Sequence, residues 1–193
     1  MHGKYNPDIH HRRSVRLSGH DYSQRGLYFV TICVQDRMCM FGNIVNEQMR
    51  LNNAGLMIKT WWQKVGSKFP PVQTGEYVVM PNHFHGIINI VGAAPCGRPI
   101  RDNNNNASGQ PLSVAPALGD ILNWFKTMTT NKYICRVKQN GWPPFPGRLW
   151  QRNYYEHIIR NEKDLNHIRH YIAENPINWQ TDEENPNVTA NNP

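Results

Sequence analysis

The chain has 193 residues, 39% of them hydrophobic and 10% aromatic, enough apolar surface for one domain with a substantial core. No apolar run reaches spanning length and no charged-then-apolar leader opens the chain, so a soluble, cytoplasmic protein with no membrane partner is expected. Cys33, Cys39, Cys96 and Cys135 form no CxxC pair, which argues against a zinc ribbon or a disulfide framework.

The formal net charge is +7, and the last thirteen residues hold Asp182, Glu183 and Glu184 with no Lys or Arg, so residues 1–180 carry +10. Cations gather in the first 25 positions (Arg12, Arg13 and Arg16 among them) and again between Lys126 and Arg169. Aromatic residues interleave the second group, from Trp124 to Tyr155. Cations for phosphates and ring faces for bases are the composition of a nucleic-acid binder.

In chain order, residues 1–25 lack any period and read as a basic arm. Leu27 to Val34 is rich in β-branched and aromatic residues and predicts a strand. Phe41 to Leu51 predicts a hairpin with Asn46-Glu47 at its tip. Asn52 and Asn53 offer an N-cap to a helix whose core stripe is expected at Leu56, Met57, Thr60, Trp61 and Val65, ending near Phe69. Two short apolar runs around Pro81-Asn82 predict a strand pair over Tyr77 to Val91.

Residues 92–116, rich in Gly, Pro and Asn, predict a flexible loop. A helix from Leu118 to about Val137 follows, with Leu118, Ile121, Leu122, Phe125, Met128 and Thr129 on its apolar side. Gly141 to Gly147, with three prolines, must be a shaped loop. Leu149 to Ile159 alternates as a strand. The last helix starts near Asn161 and is expected to stop at Asn175, because Pro176 disfavours helical backbone before it. Residues 180–193 read as an acidic, disordered tail. The pattern predicts an α+β fold over residues 26–179. It comprises an antiparallel sheet with helices packed on one face, a ferredoxin-like core, and an extra C-terminal strand–helix unit.

Strand alternation puts His83 and His85 on one face and Phe84, Gly86, Ile88 and Ile90 on the other. Two imidazoles side by side on a strand can hold one metal ion, or can be buried histidines bonded to neighbours. Tyr171 and Asn175 are four apart on the last helix and flank its core stripe of Leu165, Ile168 and Ile172. Asn175 offers a carbonyl oxygen, and His83, His85 and Asn175 together would suit Mg²⁺ or Mn²⁺ at least as well as zinc. A surface tyrosine and a helix C-cap are the alternatives for Tyr171 and Asn175.

Val79 to Gly86, Leu149 to Asn161 and Ile168 to Pro176 together closely resemble the single-tyrosine HUH transposases, above all their branch associated with repetitive extragenic palindromes (REP). The resemblance runs from about Tyr22 to Trp179, with the three motifs in order. It implies that His83, His85 and Asn175 bind the divalent metal and that Tyr171 is the nucleophile, with Tyr154 and Tyr155 as rivals by residue type. It puts His157 and Arg160 near the site. It further implies nicking and rejoining of single-stranded DNA at palindromic hairpins through a 5′-phosphotyrosine link, by a monomer or homodimer. Arg12, Arg13, Arg16, Lys126, Arg148, Arg152 and Arg160 are the expected DNA contacts. A regulatory protein that binds palindromes without cutting them is the alternative. A histidine-triad hydrolase is excluded, since its third histidine would fall at Ile87.

Overall fold

A computed structural model describes residues 24–91 and 116–189. Arg12, Arg13, Arg16, nearly all of the basic arm and of the 92–116 loop, and residues 190–193 lie outside the described residues. Among the described residues, six strands and five α-helices follow in order: β1 (Gly26–Cys33), β2 (Gly42–Val45), β3 (Gln48–Leu51), α1 (Asn53–Gln63), α2 (Val65–Lys68), β4 (Val72–Val79), β5 (His83–Ile90), α3 (Leu118–Asn140), β6 (Tyr155–Ile159), α4 (Glu162–Glu174) and α5 (Pro186–Thr189). No helix among the described residues is long and apolar enough to cross a membrane.

The main sheet has the order β4-β5-β1-β6, with every neighbouring pair antiparallel. With β2 and β3 set aside as a separate hairpin, this is the order of a ferredoxin-like βαββαβ core. The C-terminal strand–helix unit therefore divides. Strand β6 pairs with β1 inside the core, and only α4 is an addition.

The strand period of two sorts side chains into two layers. Tyr28, Val30, Ile32, Phe84, Ile88 and Ile90 face α1 and α3, where Ile58, Trp62, Leu122 and Phe125 complete the larger core. Phe29, Ile87 and Ile159 face the other way and are covered by Leu165, Ile168 and Ile172 of α4. Helices on one face thus hold for α1 and α3, while α4 makes a second layer. The two histidines lie in that second layer, beside the apolar patch that seats α4.

The apolar stripe of α1 is rotated from the expected one: Ala54, Ile58, Trp62 and Val65 are buried, while Leu56 is exposed. The Asn52 side chain caps Gly55 N at 3.0 Å and sets the helix phase. Gly86 then receives the Trp62 indole, since a Cβ there would stand 2.6 Å from it. The expected 149–159 strand is shortened to β6 for a different reason. Lys126 Nζ donates to Gln151 O at 2.6 Å and Arg152 O at 3.0 Å, drawing those carbonyls toward α3 and away from the sheet. Only Trp150, bridged to Val34, keeps a strand contact before residue 155.

The acidic tail is not disordered over residues 180–189. Asn175 stays helical (φ −55°, ψ −42°) despite Pro176, and the chain runs on into a 3-10 turn over Ile177–Thr181. Trp179 is buried, Asn185 Nδ2 donates to Trp179 O at 2.8 Å, and Arg37 pairs with Glu184 at 3.2 Å. Polar composition concealed this segment because one tryptophan anchors it and its amides close their hydrogen bonds internally.

Candidate active site

The site is assembled from three elements: β5 carries His83 and His85, α4 carries Tyr171 and Asn175, and the 177–185 run closes one side. The helix is aimed by its own caps, with Asn161 Oδ1 accepting from Asp164 N at 2.9 Å. Arg169 forms an ion pair with Glu76, Nε to Oε1 2.8 Å, and ties the same helix to β4. Both histidines are almost fully buried, at 0% and 3% exposure, and their rings lie 4.6 Å apart.

Hydrogen bonding sets the tautomer of His83. Asn82 Nδ2 donates to Arg37 O at 2.9 Å and Glu184 O at 2.6 Å, which leaves Oδ1 to accept from His83 Nδ1–H at 3.0 Å. The Nε2 lone pair of His83 therefore faces Asn175 Oδ1, 3.4 Å away. Turning the Asn175 amide over would let its nitrogen donate to that lone pair, so one side chain can satisfy the ring or offer oxygen to a cation. His85 Nδ1 lies 2.8 Å from Thr31 Oγ1, and its Nε2 is buried with no hydrogen-bond partner among the described residues. Donation from Nδ1 leaves that free atom an acceptor, which costs less than a stranded N–H.

Burial lowers the pKa of both rings, most strongly for His85, where neighbouring His83 adds to the effect. Asp182 Oδ2, 3.8 Å from His83 Nε2, raises the His83 value without overcoming burial, so the ring is neutral and the two do not form an ion pair. Two neutral imidazoles with anchored Nδ1 atoms, a free buried Nε2 and an adjacent amide oxygen fit a divalent cation. Among the described residues no three His, Cys, Asp or Glu side chains already stand close enough to hold a metal ion, and the nearest oxygen to His83 Nε2 is that of the Asn175 amide.

Tyr171 stands at the mouth, 44% exposed, its ring 5.2 Å from that of His85 and edge-on to Phe29 at 5.8 Å. Burial raises its pKa, and the carboxylates of Asp182 and Glu183 add to that rise, against a hydrogen bond with Asn175. The phenol opens into a pocket of 830 Å³ that also touches Tyr154, Tyr155 and His157. His157 Nε2 donates to Asp164 Oδ2 at 2.9 Å, so His157 is held at the rim beside α4.

The expected DNA contacts separate. Arg148 and Arg152 are exposed and line a 350 Å³ groove, which shares Gln151 with the tyrosine pocket. Arg160 is exposed at the end of β6. Lys126 is committed to the 151–152 carbonyls, and burial and then Arg148 lower its pKa to about 8. It braces the loop that carries the arginines. Sequence reasoning missed Asn82, Thr31 and Asp182. The first is visible in the sequence as an amide next to the histidine pair, in the Pro81-Asn82 break between two apolar runs.

No family model matches the chain. It is 41% identical over 182 residues to an uncharacterised protein of Haemophilus influenzae, covering 93% of this chain and 96% of that one. A second protein of the same organism, named "Putative REP-associated tyrosine transposase", is 25% identical over 161 residues, or 81% of this chain and 73% of the other. The fold is shared with a solved REP-associated tyrosine transposase bound to a REP hairpin, at TM-score 0.51 and 20% identity over 84% of this chain and 73% of that one. The chain thus resembles a named REP-associated tyrosine transposase in sequence and shares the fold of a solved one. Its site is a histidine pair on a central strand facing a tyrosine and an asparagine one helical turn apart.

Proposed function

We propose that the protein nicks and rejoins single-stranded DNA at palindromic hairpins, with Tyr171 as the nucleophile. The observation that carries this reading is the meeting of Tyr171 and Asn175 with His83 and His85 at one pocket, from elements more than 80 residues apart in the chain. His83, His85 and Asn175 would hold Mg²⁺ or Mn²⁺, which when bound supplies charge to polarise a phosphate oxygen.

The protein's own groups account for the rest. Attack of the Tyr171 hydroxyl oxygen on the scissile phosphorus forms a phosphotyrosine ester and breaks the bond to the 3′ oxygen, which leaves as a 3′-hydroxyl after taking up a proton. Because a phenol is also a fair leaving group, a 3′-hydroxyl can reverse the step and rejoin strands. Half-exposure lets Tyr171 reach a strand lying along the pocket, while burial of the histidines keeps water from competing for their lone pairs. Arg148, Arg152 and Arg160, all exposed, would hold phosphates flanking that strand.

The test uses a labelled hairpin oligonucleotide with Mg²⁺ or Mn²⁺. The wild-type chain should form a covalent adduct; Tyr171→Phe should form none while binding the hairpin within a few-fold. Adduct persisting in that variant overturns the assignment of the nucleophile.

A further inference from the structure

Asp182 lies outside the three motifs that carry the resemblance, yet its carboxylate stands beside His83. Its Oδ1 accepts from Glu184 N at 2.7 Å, which ties down one oxygen and leaves Oδ2 turned toward His83 Nε2 at 3.8 Å. The side chain is only 13% exposed. Its backbone is held as well: Asp182 N donates to Trp179 O at 3.2 Å and Asn185 N to Asp182 O at 3.0 Å. Asn82, which orients His83, also holds Glu184 O, so one amide sets the ring and the segment bearing the carboxylate.

His83 donates from Nδ1 to Asn82 Oδ1, and an ionised carboxylate only accepts. His83 Nε2 thus faces two side-chain oxygens, at 3.4 and 3.8 Å, beside a His85 Nε2 with no hydrogen-bond partner among the described residues. Adjacent donors around a hard divalent cation stand about 3 Å apart, close to the 3.4 and 3.8 Å that separate these two oxygens from His83 Nε2. The charge argument agrees. Two imidazoles and an amide are all neutral, and a hard cation prefers at least one anionic oxygen.

Resting on the metal-dependent reading above, we propose that Asp182 is a fourth, anionic ligand of the same divalent cation, through Oδ2. The donor set is then two imidazole nitrogens, one amide oxygen and one carboxylate oxygen. Asp182 is thereby a metal ligand supplied by the segment after the tyrosine helix.

The test measures Mn²⁺ binding alone, without DNA, on the full chain, by calorimetry or by the electron paramagnetic resonance signal of free Mn²⁺. Asp182→Asn keeps the acceptor for Glu184 N–H and removes the charge. Its affinity should fall tenfold or more, with an unchanged melting temperature in chelator. Glu183→Gln should stay within twofold of wild type, and Asp182→Glu should recover part of the loss. The Asp182→Asn deficit should persist at high salt, whereas a merely neighbouring charge would be screened. Asp182→Asn binding within twofold of wild type, while His83→Ala abolishes binding, overturns the proposal and leaves the three-ligand site standing. A wild-type chain that binds no Mn²⁺ overturns both.

Discussion

Asn82 uses both ends of its amide, and the site depends on it. It receives the Nδ1 proton of His83 and donates to two carbonyls, from Arg37 and Glu184, in a place only 1% exposed. Asn82→Ala strands those partners and releases the 182–185 segment from the histidine strand. The expected cost is about 2–4 kcal/mol of stability for three buried hydrogen bonds, read as a lower denaturant midpoint. Amides of residues 182–185 should also lose protection from hydrogen exchange. An Asn82→Ala chain with an unchanged midpoint would show that the amide is not the brace its geometry suggests. At the same scale, Tyr171 is the opposite kind of residue. Its exposure means that losing the hydroxyl should barely alter stability, so any lost activity in Tyr171→Phe is chemical.

Strand β5 separates structure from chemistry by its pleat. One face gives Phe84, Gly86, Ile88 and Ile90 to the larger core, and the other presents His83, His85 and Ile87 to α4. Gly86 lets α1 approach, because Trp62 packs where a Cβ would be and also lies tilted against Phe84 at 4.6 Å. Gly86→Ala should therefore cost about 1–3 kcal/mol through overpacking. Because the strain falls on the element holding both histidines, Mn²⁺ affinity should drop with it. A denaturation series on Gly86→Ala, with Trp62→Phe as a relieving second change, checks this: recovery in the double variant locates the clash at the indole. Helix α4 is positioned from its far side, by the Asn161 cap and by Leu165, Ile168 and Ile172 on Phe29, Ile87 and Ile159. Tyr171 and Asn175 need only the helical spacing to meet the histidines.

For the molecule as a whole, the buried neutral histidines couple stability to acidity. Their folded pKa values lie below the ordinary 6.5, so folding holds them neutral while the unfolded chain accepts protons. The stability they contribute is present above about pH 6.5 and is lost as pH falls through their lower folded values. Without metal, the urea midpoint should fall between pH 7.5 and pH 5, before most carboxylates titrate. A chain with both histidines replaced by glutamine should show a much smaller fall. An equal fall in both chains would place the acid sensitivity elsewhere. Saturating Mn²⁺ should raise the wild-type midpoint at pH 7.5, since an ion bound only by the folded state stabilises it.

Local periodicity determined much of this protein. Period two over Leu27 to Val34 and Tyr77 to Val91, and helical spacing in Leu165, Ile168 and Ile172, were legible because alternation and amphipathicity are properties of neighbours in the chain. The histidine pair, Tyr171 and Asn175 were legible as residue types at motif spacing, though nothing local required them to meet. Tertiary structure decided that β6 joins the core next to β1, and that α4 covers the face opposite α1 and α3. It decided which tryptophan of α1 turns inward, because the gap at Gly86 lies on another element. It also decided that an acidic, polar segment is held against the site, through Trp179 and through the Asn82 amide a hundred residues earlier. Hydrogen bonds between distant residues leave no period in a sequence, and one of them, from Asn82 to Glu184, helps to hold Asp182 beside His83.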